Sequence, residues 1–193
     1  YDLSKLVTGS FGTLVALTEV VLKVLPKKNL SNTIVIYTED KKLVKELFEK
    51  ISSSSSEVSG AVYIPEEPKA ANYNCNKERV FKLNDLKSNV PFLALRIEGN
   101  KTSINERVKV LTDELELNKL NISMLDVYQS VPFWKKVNNL EIFAETKNNL
   151  LRAVIPPSKG NELMQKLENK YKYYIDWCGS LYWIEVQSKK KYE

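Results

Sequence analysis

The stretch Thr33-Ile34-Val35-Ile36-Tyr37-Thr38-Glu39-Asp40-Lys41-Lys42-Leu43-Val44-Lys45-Glu46-Leu47-Phe48-Glu49-Lys50-Ile51 changes its hydrophobic period in the middle. Residues 33–37 are a near-continuous apolar strand. From Asp40, a residue suited to capping a helix, Leu43, Val44, Leu47, Phe48 and Ile51 recur at helical spacing, so one helix face packs on a sheet. The serines of 52–56 end the helix, a second strand follows over 58–64, and Pro65 stops it. Together these make a β-α-β unit.

Downstream the pattern repeats. Residues 92–98 alternate as a strand and Gly99 breaks it, after which Ser103-Ile104-Asn105-Glu106 has capping-box spacing. Ile104, Val108, Leu111 and Leu115 form the helix stripe, and the next strand is predicted over 122–128. Two units in succession, β-α-β-β-α-β, are what a ferredoxin-like sandwich needs. The expected class is therefore α+β, with ferredoxin-like repeats forming a mostly antiparallel sheet and helices on one face.

Between the two units no period holds over 66–89; Pro68, Asn72, Asn74 and Asn76 favour turns, with a short strand at 80–83. A loop of that length is usually functional or mobile, and mobile is the expectation here. After the second unit, 130–137 reads as a short helix entered at Pro132, with Phe133 and Trp134 packing and not binding. A third unit has a strand over 150–155, a Pro156-Pro157 stop and a helix over 158–171 carrying Leu163, Met164 and Leu167. Strands 173–177 and 181–186, joined through Cys178-Gly179-Ser180, then read as a hairpin or bulged pair.

The chain has 193 residues, enough for one ordinary domain with a sizeable core and part of a second. It contains no histidine, which excludes a Ser-His-Asp triad, a His-ligated metal and imidazole acid-base chemistry within it. Cys75 and Cys178 are the only cysteines and fall in no metal-ligand pattern, so free thiols in a reducing cytoplasm are expected. No apolar run approaches the roughly 20 residues of a membrane helix. The net charge of +5 is spread over lysines mixed with Glu and Asp, and the dense run Lys189-Lys190-Lys191 sits at the end. That distribution describes a solvated surface and not a nucleic-acid interface.

Ahead of the first unit, Asp2-Leu3-Ser4-Lys5-Leu6-Val7-Thr8-Gly9-Ser10-Phe11-Gly12-Thr13-Leu14 reads as the end of a helix and a glycine turn. A strand rich in β-branched residues follows, closed by Pro26. Gly9 and Gly12 let the chain take φ > 0 or bring bare backbone against a flat or phosphorylated ligand. A glycine turn before a strand is most often only a turn. The whole string from Asp2 to Pro26, however, resembles the last segment of the FAD-binding domain in the flavoprotein family typified by p-cresol methylhydroxylase and vanillyl-alcohol oxidase. Within that family the likeness is to the FAD-binding subunits of glycolate oxidases. Val15 departs from it, standing where the family commonly has glycine. Shorter stretches, Phe133-Trp134, Leu151-Arg152-Ala153-Val154-Ile155-Pro156-Pro157 and Asp176-Trp177-Cys178-Gly179-Ser180-Leu181-Tyr182-Trp183, resemble the family's cap region.

What the resemblance implies is FAD as cofactor, with Gly9, Ser10, Gly12, Thr13, Leu14 and Thr18 against it. Residues 1–28 would be the end of the FAD domain and 29–193 a cap or substrate domain, both parts of a longer protein truncated at each end. The implied reaction is oxidation of a small, glycolate-like 2-hydroxy acid to the 2-oxo acid. The implied partners are a sister flavoprotein subunit and an iron-sulfur subunit, in the cytoplasm or peripherally at the inner membrane face.

Among 29 basic residues only Arg79, Arg96, Arg107 and Arg152 are arginine. In so lysine-rich a chain, an arginine within an apolar strand suggests a site that needs the planar fork for a carboxylate or phosphate. Arg96 and Arg152 fit. Alternation sets Ala94, Arg96 and Glu98 on one face of a strand, Leu150, Arg152 and Val154 on one face of another, and Leu181, Trp183 and Glu185 on one face of a third. The candidate substrate-binding residues are therefore Arg96, Arg152 and Trp183, on a sheet face turned away from the helices. The competing reading is an exposed ion pair, Arg96 with Glu98 or Arg152 with Glu185. No catalytic base is evident, with Tyr182 and Tyr128 the candidates by residue type alone. The alternatives in function are a non-enzymatic ferredoxin-like binding module, or another FAD-linked enzyme such as a D-lactate dehydrogenase.

Overall fold

The computed structural model describes residues 2–24, 28–65, 90–144 and 146–186. The predicted loop over 66–89, its strand at 80–83, Cys75, Arg79, Pro26 and the terminal lysine run lie outside the described residues. A short helix α1 (Leu3–Val7) comes first. The first unit follows as β1 (Leu30–Tyr37), α2 (Lys41–Ser53) and β2 (Gly60–Ile64). The second is β3 (Phe92–Gly99), α3 (Lys101–Glu114) and β4 (Ile122–Leu125), and α4 (Val127–Asn138) comes after it. The third is β5 (Asn149–Val154), α5 (Gly160–Leu167), β6 (Tyr173–Asp176) and β7 (Leu181–Val186).

The seven strands form one sheet in the order β4-β1-β3-β2-β6-β7-β5, and each described pairing is antiparallel. The first four strands carry the 4-1-3-2 order of the ferredoxin-like sandwich, in which β3 sits between β1 and β2 while β1 sits between β3 and β4. The third unit has the same construction, with β7 between β5 and β6. The fold is α+β.

Local chemistry explains where the helices start. The Asp40 carboxylate accepts from the backbone N–H of Lys42 at 2.9 Å and of Leu43 at 3.3 Å, capping α2 as expected. α3 begins earlier than its sequence suggests. Asn100 is its cap, accepting from Ser103 N–H at 2.8 Å, so Ser103 lies inside the first turn and is no cap itself. The strand predicted over 122–128 stops at Leu125, because Asp126 and Gln129 close a capping box and start α4. Pro132 thus lies within α4 and not at its entry. The helix predicted over 158–171 resolves into a 3₁₀ turn, Pro157–Lys159, followed by the shorter α5.

Helices α2, α3 and α5 cover one face of the sheet. Val44, Leu47, Phe48, Ile51, Ile104, Leu111, Met164 and Leu167 pack there against Ile34, Ile36, Tyr63, Leu95, Ile175 and Tyr182. α4 departs from the expected one-sided arrangement. It lies on the other face, burying Phe133, Trp134 and Val137 against Val35, Val62, Phe92, Ala94 and Tyr174. The reason is visible in β1 and β3, whose residues are apolar on both faces. A chain of buried hydroxyls fixes α4 there: Trp134 Nε1–H donates to Thr33 Oγ1 at 2.8 Å, Thr33 Oγ1 meets Ser130 Oγ at 2.7 Å, and Ser130 Oγ meets Ser31 Oγ at 2.9 Å. Gly60 makes the approach possible, since a Cβ there would lie 3.0 Å from the Trp134 ring.

The N-terminal strand is also corrected. Residues 14–24 form no strand, because a strand's N–H and C=O groups need a partner and none of the described strands pairs with them.

Replacing Thr33 by valine keeps shape but removes the acceptor of the Trp134 indole and the partner of Ser130. We expect Thr33→Val to lose about 1–3 kcal/mol of unfolding free energy in urea titration, the usual penalty for buried polar groups left unpaired. Unchanged stability would contradict this account of how α4 is held.

Candidate functional site

Cross-strand register decides which side chains share a face. Arg96 on β3 lies opposite Thr33 and Gly60, the residues beneath the Trp134 indole. Arg152 on β5 lies opposite Trp183 on β7, and Trp183 lies opposite Tyr174 on β6, which belongs to the cluster under α4. All three predicted substrate-binding residues therefore lie on the sheet face opposite α2, α3 and α5. They do not come together. β3 and β5 are four strand spacings apart in the sheet order, about 19 Å at the usual 4.8 Å per strand. One small acid cannot be gripped by both arginines.

α4 divides this face into a covered and an open half. In the covered half Arg96 is used up by its surroundings. Its Nε donates to Ser59 Oγ at 3.0 Å, an Nη to the Ser59 carbonyl at 3.1 Å, and Nε faces Glu98 Oε2 at 3.3 Å. Its guanidinium also lies 4.9 Å from the Trp134 ring centre. The Arg96–Glu98 ion pair is thus present, and Arg96 ties Ser59, at the entry to β2, to the Trp134 ring of α4.

The open half holds Arg152, Trp183 and a residue that sequence reasoning missed, Trp177. The Arg152 guanidinium lies 5.0 Å from the Trp177 ring centre and 6.0 Å from that of Trp183, both within cation–π range. Among the described residues no hydrogen bond or ion pair engages it. Glu185, its expected partner, is buried instead among Thr146 and Asn148, accepting from both and at 2.7 Å from Asn148 Nδ2. A signal for Trp177 was present in the string Asp176-Trp177-Cys178-Gly179. Asp176 Oδ1 accepts from Trp177 N–H at 2.7 Å and begins a 3₁₀ turn that projects the indole outward.

Burial pushes the Asp176 carboxyl above its ordinary value, with the Trp177 N–H and the Arg96 charge opposing that rise. Burial likewise raises the Cys178 thiol, which argues against a reactive thiolate there. Neither tyrosine named as a base candidate reaches this site. Tyr182 is buried on the opposite face, donates to the Gly160 carbonyl at 3.2 Å, and is held protonated far above its ordinary range by burial. Tyr128 stands in the first turn of α4, 84 % exposed. On the helix-covered face, a cavity of about 80 Å³ is lined by Glu39, Lys41, Tyr63, Glu168 and Tyr173, with Lys41 paired to Glu168.

The residues expected against a cofactor lie apart from the sheet. Gly9 and Gly12 have φ of +83° and +73°, and a Cβ on either would meet nothing within 4 Å. Glycine is needed there for backbone conformation, not for want of room. The turn closes through Ser10 N–H to the Val7 carbonyl at 3.2 Å and Thr13 N–H to the Ser10 carbonyl at 3.0 Å. Phe11, itself at positive φ, is 98 % exposed, and Leu14 and Thr18 are exposed with it.

Among the described residues no group of acidic, cysteine or histidine side chains could hold a metal ion, and no helix is long and apolar enough to cross a membrane. No protein-family model matches the chain, and no curated protein matches its sequence.

The raised Asp176 carboxyl sets a pH dependence. Its folded value lies above an unfolded value of about 3.9, so its contribution to stability is complete below that pH and is lost as pH rises through the folded value. Asn at this position carries no such loss. In urea unfolding across pH 3 to 7, Asp176→Asn should gain stability relative to the parent as pH rises above about 4. A difference that runs the other way would contradict the burial of this charge.

Proposed function

We propose that the chain is part of an FAD-dependent oxidoreductase that converts a small, glycolate-like 2-hydroxy acid to the 2-oxo acid. Residues 1–28 are the end of its FAD-binding domain, and the sheet and helices that follow are its substrate-facing cap. The observation that carries the reading is the turn after α1. Gly9 and Gly12 both take the left-handed conformation, and the space around each is open, so bare backbone is available to a flat ligand. The apolar side chains around the turn, among them Leu3, Leu6, Leu14, Leu17, Val21 and Leu22, are exposed. A segment of this composition ordinarily packs against a further surface.

These residues fit the cofactor. Gly9, Ser10, Gly12 and Thr13 would lie along it, with Leu14 and Thr18 beside them. Bound flavin would supply the electron sink for a two-electron oxidation at the carbon that carries the hydroxyl. The chain's own contribution is orientation, through an arginine that meets the substrate carboxylate. Of the two strand arginines Arg152 is suited to this, because Arg96 is engaged by Ser59, Glu98 and Trp134. A sister flavoprotein subunit and an iron-sulfur subunit complete the proposed complex and carry the electrons onward.

The full-length gene product, purified with its genomic neighbours, should be yellow, with flavin bands near roughly 370 and 450 nm that bleach on anaerobic addition of glycolate or lactate. Bands that persist with both acids would reject the substrate class while keeping the flavin. A colourless protein would overturn the reading and leave a non-enzymatic binding module in its place.

A further inference from the structure

The turn between β6 and β7 is strained in a way that the fold alone does not require. Trp177, Cys178 and Gly179 have φ of +51°, +50° and +90° in succession. Two antiparallel strands can be joined by a two-residue turn in which glycine or asparagine takes the positive φ. Here a tryptophan and a cysteine take it, against the steric preference of residues that carry a Cβ. Strain of this kind persists only where the surroundings over-determine it. They do so from both sides of the sheet. The Asp176 carboxylate holds the Trp177 N–H, and Gly179 lies so close to α2 that a Cβ would come within 3.1 Å of the Phe48 ring.

The result is an indole that the core does not use. Trp177 is 56 % exposed, and its described ring contact is with Arg152. Of the three arginines described, Arg96 is spent on Ser59 and Glu98, and Arg107 on Glu57 and the Glu98 carbonyl. Arg152 keeps its donors. A guanidinium lying against indoles can offer its in-plane N–H edge, which matches the two oxygens of a carboxylate.

We propose that Arg152, Trp177 and Trp183 form a binding site for a small carboxylate, with the Arg152 fork as anion receptor and Trp177 as a specificity-determining wall held out by the left-handed turn. The choice of a carboxylate as ligand rests on the 2-hydroxy-acid reading above, whereas the receptor itself is given by the geometry. Trp177 acts by apolar contact with the carbon chain of the acid and by keeping the Arg152 fork in place. Trp183 supports the fork from the neighbouring strand.

The test is a titration of the ¹⁵N-labelled 193-residue chain with sodium glycolate at constant ionic strength, followed by the indole N–H resonances. Trp177 and Trp183 should shift along one saturable curve. Trp134, buried and bonded to Thr33, should not move and serves as the internal reference. Arg152→Lys keeps the charge but loses the fork, and should weaken binding about tenfold. Trp177→Ala, at an exposed position, should leave the circular dichroism unchanged and weaken binding severalfold. Equal shifts from chloride or inorganic phosphate, no saturable shift, or an undiminished response in Arg152→Lys would each overturn the proposal. Flavin takes no part in the titration. A colourless protein that gives these shifts rejects the oxidoreductase and keeps the site, and a yellow one without them does the reverse.

Discussion

The hydrogen bond from the Trp134 indole to Thr33 Oγ1 is the constraint on which the second face of the sheet depends. It is buried, and both ends would be expensive to leave unpaired. Ser130 and Ser31 extend it, so two residues of α4 and two of β1 share a single polar chain within an otherwise apolar layer. Gly60 admits the indole, and Arg96 lies over its ring. Remove the bond, and the polar chain that tells the helix where on an apolar surface to rest loses its indole end. Aromatic packing does the rest, with Phe133 between Phe92 and Trp134 at ring-centre distances of 6.1 and 5.3 Å.

Placing α4 there has a consequence for chemistry. It covers β1, β3 and β2, while Leu150 on β5 and Trp183 on β7 are only partly buried against its cluster, so two arginines on the same face meet opposite fates. Arg96 becomes a structural cation, enclosed by Ser59, Glu98 and an indole. Arg152 stays at the surface among Trp177 and Trp183 without an anionic partner among the described residues. The open half also gains its shape from the helical face, since Gly179 touches Phe48 through the β6–β7 turn. Core packing on one side thus sets the strained geometry that displays Trp177 on the other.

Much of this was legible in the sequence. The switch from apolar run to helical spacing between Tyr37 and Leu43, repeated between Ile97 and Ile104, carried the β-α-β-β-α-β order and the α+β class. Alternation on three strands put Arg96, Arg152 and Trp183 on one face. Other features were hidden for identifiable reasons. The boundary between β4 and α4 is hard to read locally because Val127 and Tyr128 suit a strand as well as a helix, and only the Asp126–Gln129 capping box separates the two. That β1 is apolar on both faces signals helices on both sides, yet a short run of this kind reads equally as any buried strand. The strand expected after Gly12 failed because hydrophobicity and β-branching state a preference, while a strand needs a partner. Sheet order, and with it the wide separation of Arg96 from Arg152, is a long-range property that no local spacing encodes. The display of Trp177 is hidden in the sequence because positive φ at a tryptophan is not something a residue's identity suggests.

One face of the sheet holds both an engaged arginine, Arg96, and an available one, Arg152. Modification with phenylglyoxal, which attacks guanidinium groups open to solvent, followed by peptide mass spectrometry with time, compares the two in a single sample. Arg152 should be modified well before Arg96, whose guanidinium is held by Ser59, Glu98 and Trp134. Equal rates, or Arg96 reacting first, would contradict the division of the face by α4 and the site built on it.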